Sequence, residues 1–409
     1  MKAFRAFLIV FCLAAFCQTA YSATDSLRFA VRGSVRDYAG RPLETVSVTI
    51  PGTSFATITN KDGSFVIKSD TVPESVSFSL LGYVSQTLPV SGSVMRVKLK
   101  RNDLELDAAK VVSGSARSLV AYAIGSIQDT APDEPELMDC FYRETVQKRQ
   151  RFIYVSEAVT QTYKTPISSI WGKDLASVVK SRLLTSPRKS DTLGVKVLGG
   201  PVMAADYDLV KTRGAVLDMS EMDNYSYELL PSEEIDGRRQ FVIRYHPVAE
   251  KDYPLQNGTF YIDCQTFAFT RIETSLDVSD AAKATRAMLV SRPAGLRFKP
   301  REMSLLLDYK PGADGKYRLS YLRVRFRFNC DWRKRLFATD YTAISELVVT
   351  NIHTGAEAVP IPKGEQFSSR VSLADKTAYY EDPDFWKDYN IIEPSASLEQ
   401  AISRLKKTE

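Results

Sequence analysis

The chain has 409 residues, enough for two or three domains at roughly 150 residues each. Hydrophobic residues make up 44% and charged residues 25%, a composition that excludes a disordered or fibrous chain. The formal net charge of +5, from 54 basic and 49 acidic residues, is too small an excess to argue for nucleic acid.

Lys2 and Arg5 precede the apolar run from Ala6 to Phe16, and Ala20-Tyr21-Ser22 places small residues before Ala23. This is the three-part pattern of a secretory signal peptide over residues 1–22. The run is too short for a membrane-spanning helix, which needs about 20 apolar residues. Phe16 is too bulky for the position before a lipidated cysteine, so Cys17 is not expected to carry lipid. Cleavage leaves Cys140, Cys264 and Cys330, an odd set that permits at most one disulfide. Sparse cysteines of this kind are commonly small core residues.

From Phe29 to Leu99 short alternating runs are punctuated by turn residues, the signature of an all-β sandwich. Val31, Gly33 and Val35 lead into the turn Asp37-Tyr38-Ala39-Gly40, and Val46, Val48 and Ile50 end at Pro51-Gly52. Asn60-Lys61-Asp62-Gly63 reads as a hairpin turn whose glycine takes positive φ. Gly33-Ser-Val35-Arg-Asp37, Gly40-Arg-Pro42-Leu43, Thr59-Asn-Lys-Asp62-Gly63-Ser-Phe65 and Gly82-Tyr83 fall in an order and spacing that resembles the carboxypeptidase-regulatory-like domain. Val97, Leu99, Leu104 and Val111-Val112 are similar to that family's last strand and exit segment. The resemblance implies a prealbumin-like β-sandwich over residues 27–112 of a kind that commonly precedes TonB-dependent receptors. It implies no peptidase activity. A zinc carboxypeptidase needs His-x-x-Glu and a later His, whereas the only histidines are His246 and His353, and His246 is followed by Pro-Val-Ala-Glu.

Residues 113–135 read as a helical linker: Val120, Ala123, Ile124 and Ile127 recur at helical spacing after the cap Ser113-Gly114-Ser115. Residues 136–375 then read as an antiparallel β domain. A hairpin turns near Arg149-Gln150, another at Asp236-Gly237, and a third across Pro311 to Gly315. Residues 376–409 form a C-terminal segment and helix, with Ser397 and Gln400 as a capping box and Leu398, Ile402 and Leu405 on one face. Phe141-Tyr142-Arg143-Glu144, Gly199-Gly200-Pro201 and Asp384-Phe385-Trp386-Lys-Asp388-Tyr389-Asn390-Ile391-Ile392-Glu-Pro394 resemble a family of Gram-negative envelope proteins that carry the same regulatory-like domain in front. That resemblance implies architecture and compartment, and no activity. Gly258-Thr-Phe260-Tyr261-Ile262-Asp263 through Ile272 is similar to a strand pair of the periplasmic lipoprotein-carrier fold, a half-open barrel curved over an apolar groove. The fold class expected is therefore mainly β: a sandwich, then a larger antiparallel sheet or half-barrel with a few helices.

Arg323, Arg325 and Arg327 alternate with Val324, Phe326 and Phe328, which puts three guanidinium groups on one face of a strand. Such a ladder is the candidate ligand site, suited to an anionic headgroup or sugar phosphate. The plainer reading is a solvated face with carboxylates on the neighbouring strands. Glu144 and Glu157 could form an acid/base pair, but cross-strand pairing with Arg143 and Lys148 accounts for them more simply. Gly199-Gly200-Pro201 lacks the Gly-Lys-Ser/Thr ending of a phosphate loop. Gly52-Thr-Ser54-Phe-Ala56 lacks the second glycine of a nucleophile elbow. Asp382, Asp384 and Asp388 lack the glycine and spaced glutamate of a calcium loop, while Trp386 and Tyr389 read as anchors.

These readings together predict a non-enzymatic protein of the periplasm or the periplasmic face of the outer membrane, with no cofactor, metal or nucleic acid. Its partner would be an amphiphilic ligand held in a curved sheet. The alternatives are an adaptor docking to an outer-membrane complex and a hydrolase of unfamiliar design. A barrel inserted in the outer membrane is disfavoured because the chain ends in Thr408-Glu409 rather than an aromatic residue.

Overall fold

The computed structural model describes residues 29–102, 115–169, 172–188, 191, 196–197, 200–291, 294–332, 338–368, 373 and 385–406. The expected leader, the exit segment through Leu104 and Val111-Val112, Gly199, Asp382 and Asp384 lie outside the described residues.

The first unit is built from β1 (Phe29–Asp37), β2 (Ser47–Thr49), β3 (Ala56–Ile58), β4 (Ser64–Ser69), β5 (Ser75–Ser79), β6 (Gln86–Pro89) and β7 (Val94–Leu99). They form two sheets, β4-β1-β7 and β3-β2-β5-β6. Period-2 alternation turns Val31, Val35, Val48, Phe65, Val76, Phe78, Val97 and Leu99 into one shared core. Phe65 and Phe78 meet across it edge to face, with ring centroids 5.3 Å apart. The expected Asn60–Gly63 turn forms, but it carries the chain from β3 in one sheet to β4 in the other instead of closing a hairpin. Asn60 Oδ1 accepts from the backbone N–H groups of Asp62 and Ser64, and Gly63 sits at φ +75°, where a Cβ would lie 2.3 Å from Val35 O.

Helix α1 (Ala116–Gly125) follows, capped by the Ser115 hydroxyl on the N–H of Ser118, and then α2 (Ile127–Thr130). The second unit contains β8 (Glu136–Lys148), β9 (Arg151–Lys164), β10 (Leu175–Thr185), the short β11 (Lys196–Val197), α3 (Met203–Asp206) and α4 (Leu209–Thr212). It continues with β12 (Tyr225–Ile235), β13 (Arg238–Pro247), β14 (Gln256–Asp263), β15 (Phe269–Leu276), α5 (Ala281–Met288) and β16 (Leu289–Ser291). It closes with β17 (Leu296–Pro311), β18 (Tyr317–Trp332) and β19 (Thr339–Thr354), and the last helix is α6 (Ala396–Lys406). Ten of these strands make one antiparallel sheet, ordered β10-β9-β8-β19-β18-β17-β15-β14-β13-β12. It is an open sheet, because its edge strands β10 and β12 do not pair.

The expected hairpins at Arg149-Gln150, Asp236-Gly237 and Pro311–Gly315 all form. Arg149 and Gln150 both take positive φ (49° and 69°), as a two-residue turn between right-twisted strands demands. One detail differs at the C-terminal helix. Ser395, not Ser397, supplies the side-chain cap, with its Oγ 3.4 Å from the N–H of Leu398.

The two faces of the large sheet are chemically unlike. One face carries Cys140, Tyr142, Leu322, Val324, Phe326, Leu347, Leu305, Ile272 and Phe260, and it is covered by α1 to α5 in a single core. The other carries Arg143, Glu157, Arg323, Arg325 and Glu346, and it faces the sandwich and the segment 385–406.

Candidate functional site

The charged face is organised around Glu157. Its carboxylate meets Arg143 at 2.7 Å from the neighbouring strand and Arg182 at 2.5 Å from the other side, all three being largely buried. Burial pushes the Glu157 carboxyl upward, but the two guanidinium groups outweigh it and hold the group below the usual range. Glu144 points to the opposite, apolar face, where it accepts a hydrogen bond from the Tyr142 hydroxyl at 2.7 Å. Burial raises its pKa. The two carboxylates therefore share no site, and an acid/base pair built from them is ruled out by strand parity. Lys148 pairs with Asp191 rather than with either of them.

The arginine ladder lies on this charged face and divides among three environments. Arg323 stands opposite Glu346 on β19 and lies 3.9 Å from Glu44 of the sandwich. Arg325 faces Ile344 and Ser304 across the sheet and lines a notch of about 50 Å³ with Arg143, Lys61 and Glu393. Arg327 is exposed and lies 3.8 Å from Glu302.

Above this face the C-terminal segment acts as a clasp. Lys68 Nζ donates to the carbonyls of Trp386 (2.6 Å) and Tyr389 (2.7 Å). The Asn390 amide accepts from the Lys68 N–H at 2.7 Å and donates to its C=O at 3.0 Å, closing the free edge of β4 as another strand would. Thr57 Oγ1 and Asn60 Nδ2 donate to the carbonyls of Ile391 (2.9 Å) and Pro394 (3.1 Å). The Asp62 carboxylate accepts from the N–H of Ala396 at 2.6 Å, so the sandwich helps cap α6. Beneath the clasp, Trp386 packs edge to face on Phe141 and carries Arg182 over its ring.

Farther along, the two units separate into a cleft of about 1250 Å³. One wall is the outer face of β3-β2-β5-β6, where Ser47, Thr49 and Ser77 present hydroxyls in cross-strand register. The opposite wall includes Lys310, Ser320 and Tyr321 of the large sheet. One end is tied by Lys310 Nζ, which donates to Ser79 Oγ at 2.6 Å and to Asp236 at 3.0 Å. The other is tied by Ser54, whose hydroxyl donates to the side chain of Asn351.

On the apolar face Met203, Met222 and Met288 are buried in the core beneath the covering elements, and a cavity near Lys164 measures about 40 Å³. That cavity borders a buried cluster that sequence reasoning missed: Lys164 Nζ lies 2.6 Å from Asp174 and 2.8 Å from Asp208, and the Tyr309 hydroxyl donates to Asp208 at 3.0 Å. Burial lowers the lysine, but the two carboxylates outweigh it and keep it charged. The cluster ties β9, β17 and α4 together. Among the described residues no group of three or more His, Cys, Asp and Glu side chains is placed to hold a metal.

The sandwich topology and its turns agree with a match to a family model. Residues 31–112 are a CarboxypepD_reg-like domain. This domain is non-catalytic, and nothing among the similar proteins indicates a catalytic family. The TonB-dependent receptor SusC of Bacteroides thetaiotaomicron is 34% identical over 107 residues, covering 26% of this chain and 10% of that protein. The chain thus spans about a tenth of the length of the curated relative it matches. Solved structures similar to it include an outer membrane lipoprotein-sorting protein domain from Vibrio parahaemolyticus, at 12% identity, with 61% of this chain and 96% of that one covered and a TM-score of 0.27. A LolA superfamily protein from Nitrosomonas europaea is also 12% identical, with 62% and 99% covered and a TM-score of 0.23. Superpositions that loose carry no inference about ligand.

Proposed function

We propose that this chain is an exported, non-catalytic accessory protein of the Gram-negative envelope, an adaptor that grips a partner protein between its CarboxypepD_reg-like domain and its ten-stranded sheet. It works in the periplasm or at the periplasmic face of the outer membrane. The leader pattern of residues 1–22 and the SusC relative support the compartment. The division into 27–112, 113–135, 136–375 and 376–409 belongs to the same reading, with the last segment serving as the clasp.

The observation that carries the proposal is the contrast between the two faces. The clasped cleft has about 1250 Å³, whereas the cavity on the apolar face near Lys164 measures about 40 Å³. Met203, Met222 and Met288 belong to the close-packed core on the apolar face, so an acyl chain entering there would have to displace buried side chains. Within the charged notch, Arg325 is the ladder member that makes no ion pair among the described residues, so it is the one left to meet an acidic group of a partner.

The test is a cleft-filling variant, Ser77→Trp, purified from envelopes beside the wild type. The proposal expects a stoichiometric envelope protein with the wild type and its loss with Ser77→Trp, while both preparations yield no lipid on organic extraction. A stoichiometric lipid, or a partner retained by the variant, would count against it.

A further inference from the structure

We infer that the β1-β7 side of the outer face of the β4-β1-β7 sheet, which the clasp over β4 leaves open, is a docking surface for an anionic phospholipid membrane. On this face Arg36 of β1 stands directly beside Lys98 of β7, and Arg96 stands beside Ser34. Lys100 continues the same row, and all four cations are exposed. None of them makes an ion pair among the described residues, and Arg32 at the far end feels Glu393 of the clasp instead.

Like charges directly opposite each other in a sheet are destabilising, so this fold tolerates an unfavourable pair that a single carboxylate would relieve. β7 begins at Val94, 68% exposed and on the same face, and the turn after Arg36 carries Tyr38, also 68% exposed. Cations flanked by an exposed aliphatic and an amphipathic aromatic suit a headgroup layer. The exposed cations run in a row along β7 rather than converging on one point, which favours an extended anionic surface over a single acidic side chain. It lies on the sheet of the sandwich that does not form the cleft, so the cleft and this face can be occupied together.

Sedimentation with phosphatidylcholine vesicles, with and without phosphatidylglycerol, tests the inference. Wild-type protein is expected to sediment with the anionic vesicles alone and to be released by added salt. The triple variant R96Q/K98Q/K100Q should weaken binding about fivefold per cation, roughly 100-fold in total. R297Q/K299Q/R301Q, which removes the same charge from exposed positions of β17, should stay within about fivefold of wild type. Equal losses in the two variants would show that net charge acts rather than this face. Wild-type protein that ignores anionic vesicles would overturn the inference and leave the face to an acidic protein partner. Both variants alter exposed side chains, so unchanged thermal midpoints confirm that they are folded.

Discussion

Replacing Asn390 with alanine isolates the clasp. The Asn390 amide satisfies both the N–H and the C=O of Lys68 at a site where both residues are buried (4% and 8% exposed). Truncation strands one backbone donor and one acceptor, each costing about 1–3 kcal/mol if water stays out. Some water will enter along the edge of β4, so the expected loss is about 2–4 kcal/mol. Urea unfolding gives the size of the loss, and hydrogen exchange of peptides 64–69 and 385–395 locates it. Both peptides should lose protection together, while the core of β18 and β19 keeps its own. A cost below about 0.5 kcal/mol with β4 protection unchanged would show that the clasp does not hold the sandwich.

Three further outcomes follow from the same geometry. Glu157→Gln leaves Arg143 and Arg182 buried without a carboxylate and should cost about 3–5 kcal/mol in urea midpoint analysis. Because the folded Glu157 pKa is depressed, its contribution is present above the unfolded value near 4.3 and is lost as pH falls through the lower folded value, so acid sensitivity in that window should flatten in the variant. His353 is raised, chiefly by its 2.7 Å hydrogen bond with Asp139, so its stabilisation is full below about pH 6.5 and fades as pH rises through the folded value. An NMR titration should show the raised midpoint, and Asp139→Asn should abolish it. Finally, Arg149→Asn with Gln150→Gly places residues tolerant of positive φ in the first hairpin and should raise stability by about 1 kcal/mol, read as a higher thermal midpoint.

The sandwich was legible because its information is local: each turn carries its own glycine or Asx residue within a few positions of the strand it ends. The arginine ladder was legible as alternation, but its partners were not. Glu44 and Glu346 reach Arg323 through long-range pairing that no local pattern encodes. Glu157 pairs with Arg143 across the strands as the sequence suggested, but the register that brings them together depends on an irregularity no local pattern shows. The two-residue turn alone would set Glu157 opposite Tyr142, yet a bulge between Val146 and Gln147 moves it opposite Arg143. Trp386 and Tyr389 could be recognised as anchors, but what they anchor lies more than 300 positions away in β4. The cover over the apolar face was invisible because α3 and α4 have four residues each, too few to show a helical period.

The most direct test of the adaptor reading is photocrosslinking in living Gram-negative cells, with a photoreactive amino acid placed at Ser77 in the cleft or at Val248, an exposed position outside it. The account predicts one discrete adduct with an envelope protein from Ser77 and none from Val248. No adduct from Ser77, or the same adducts from both positions, would contradict a partner gripped in the cleft.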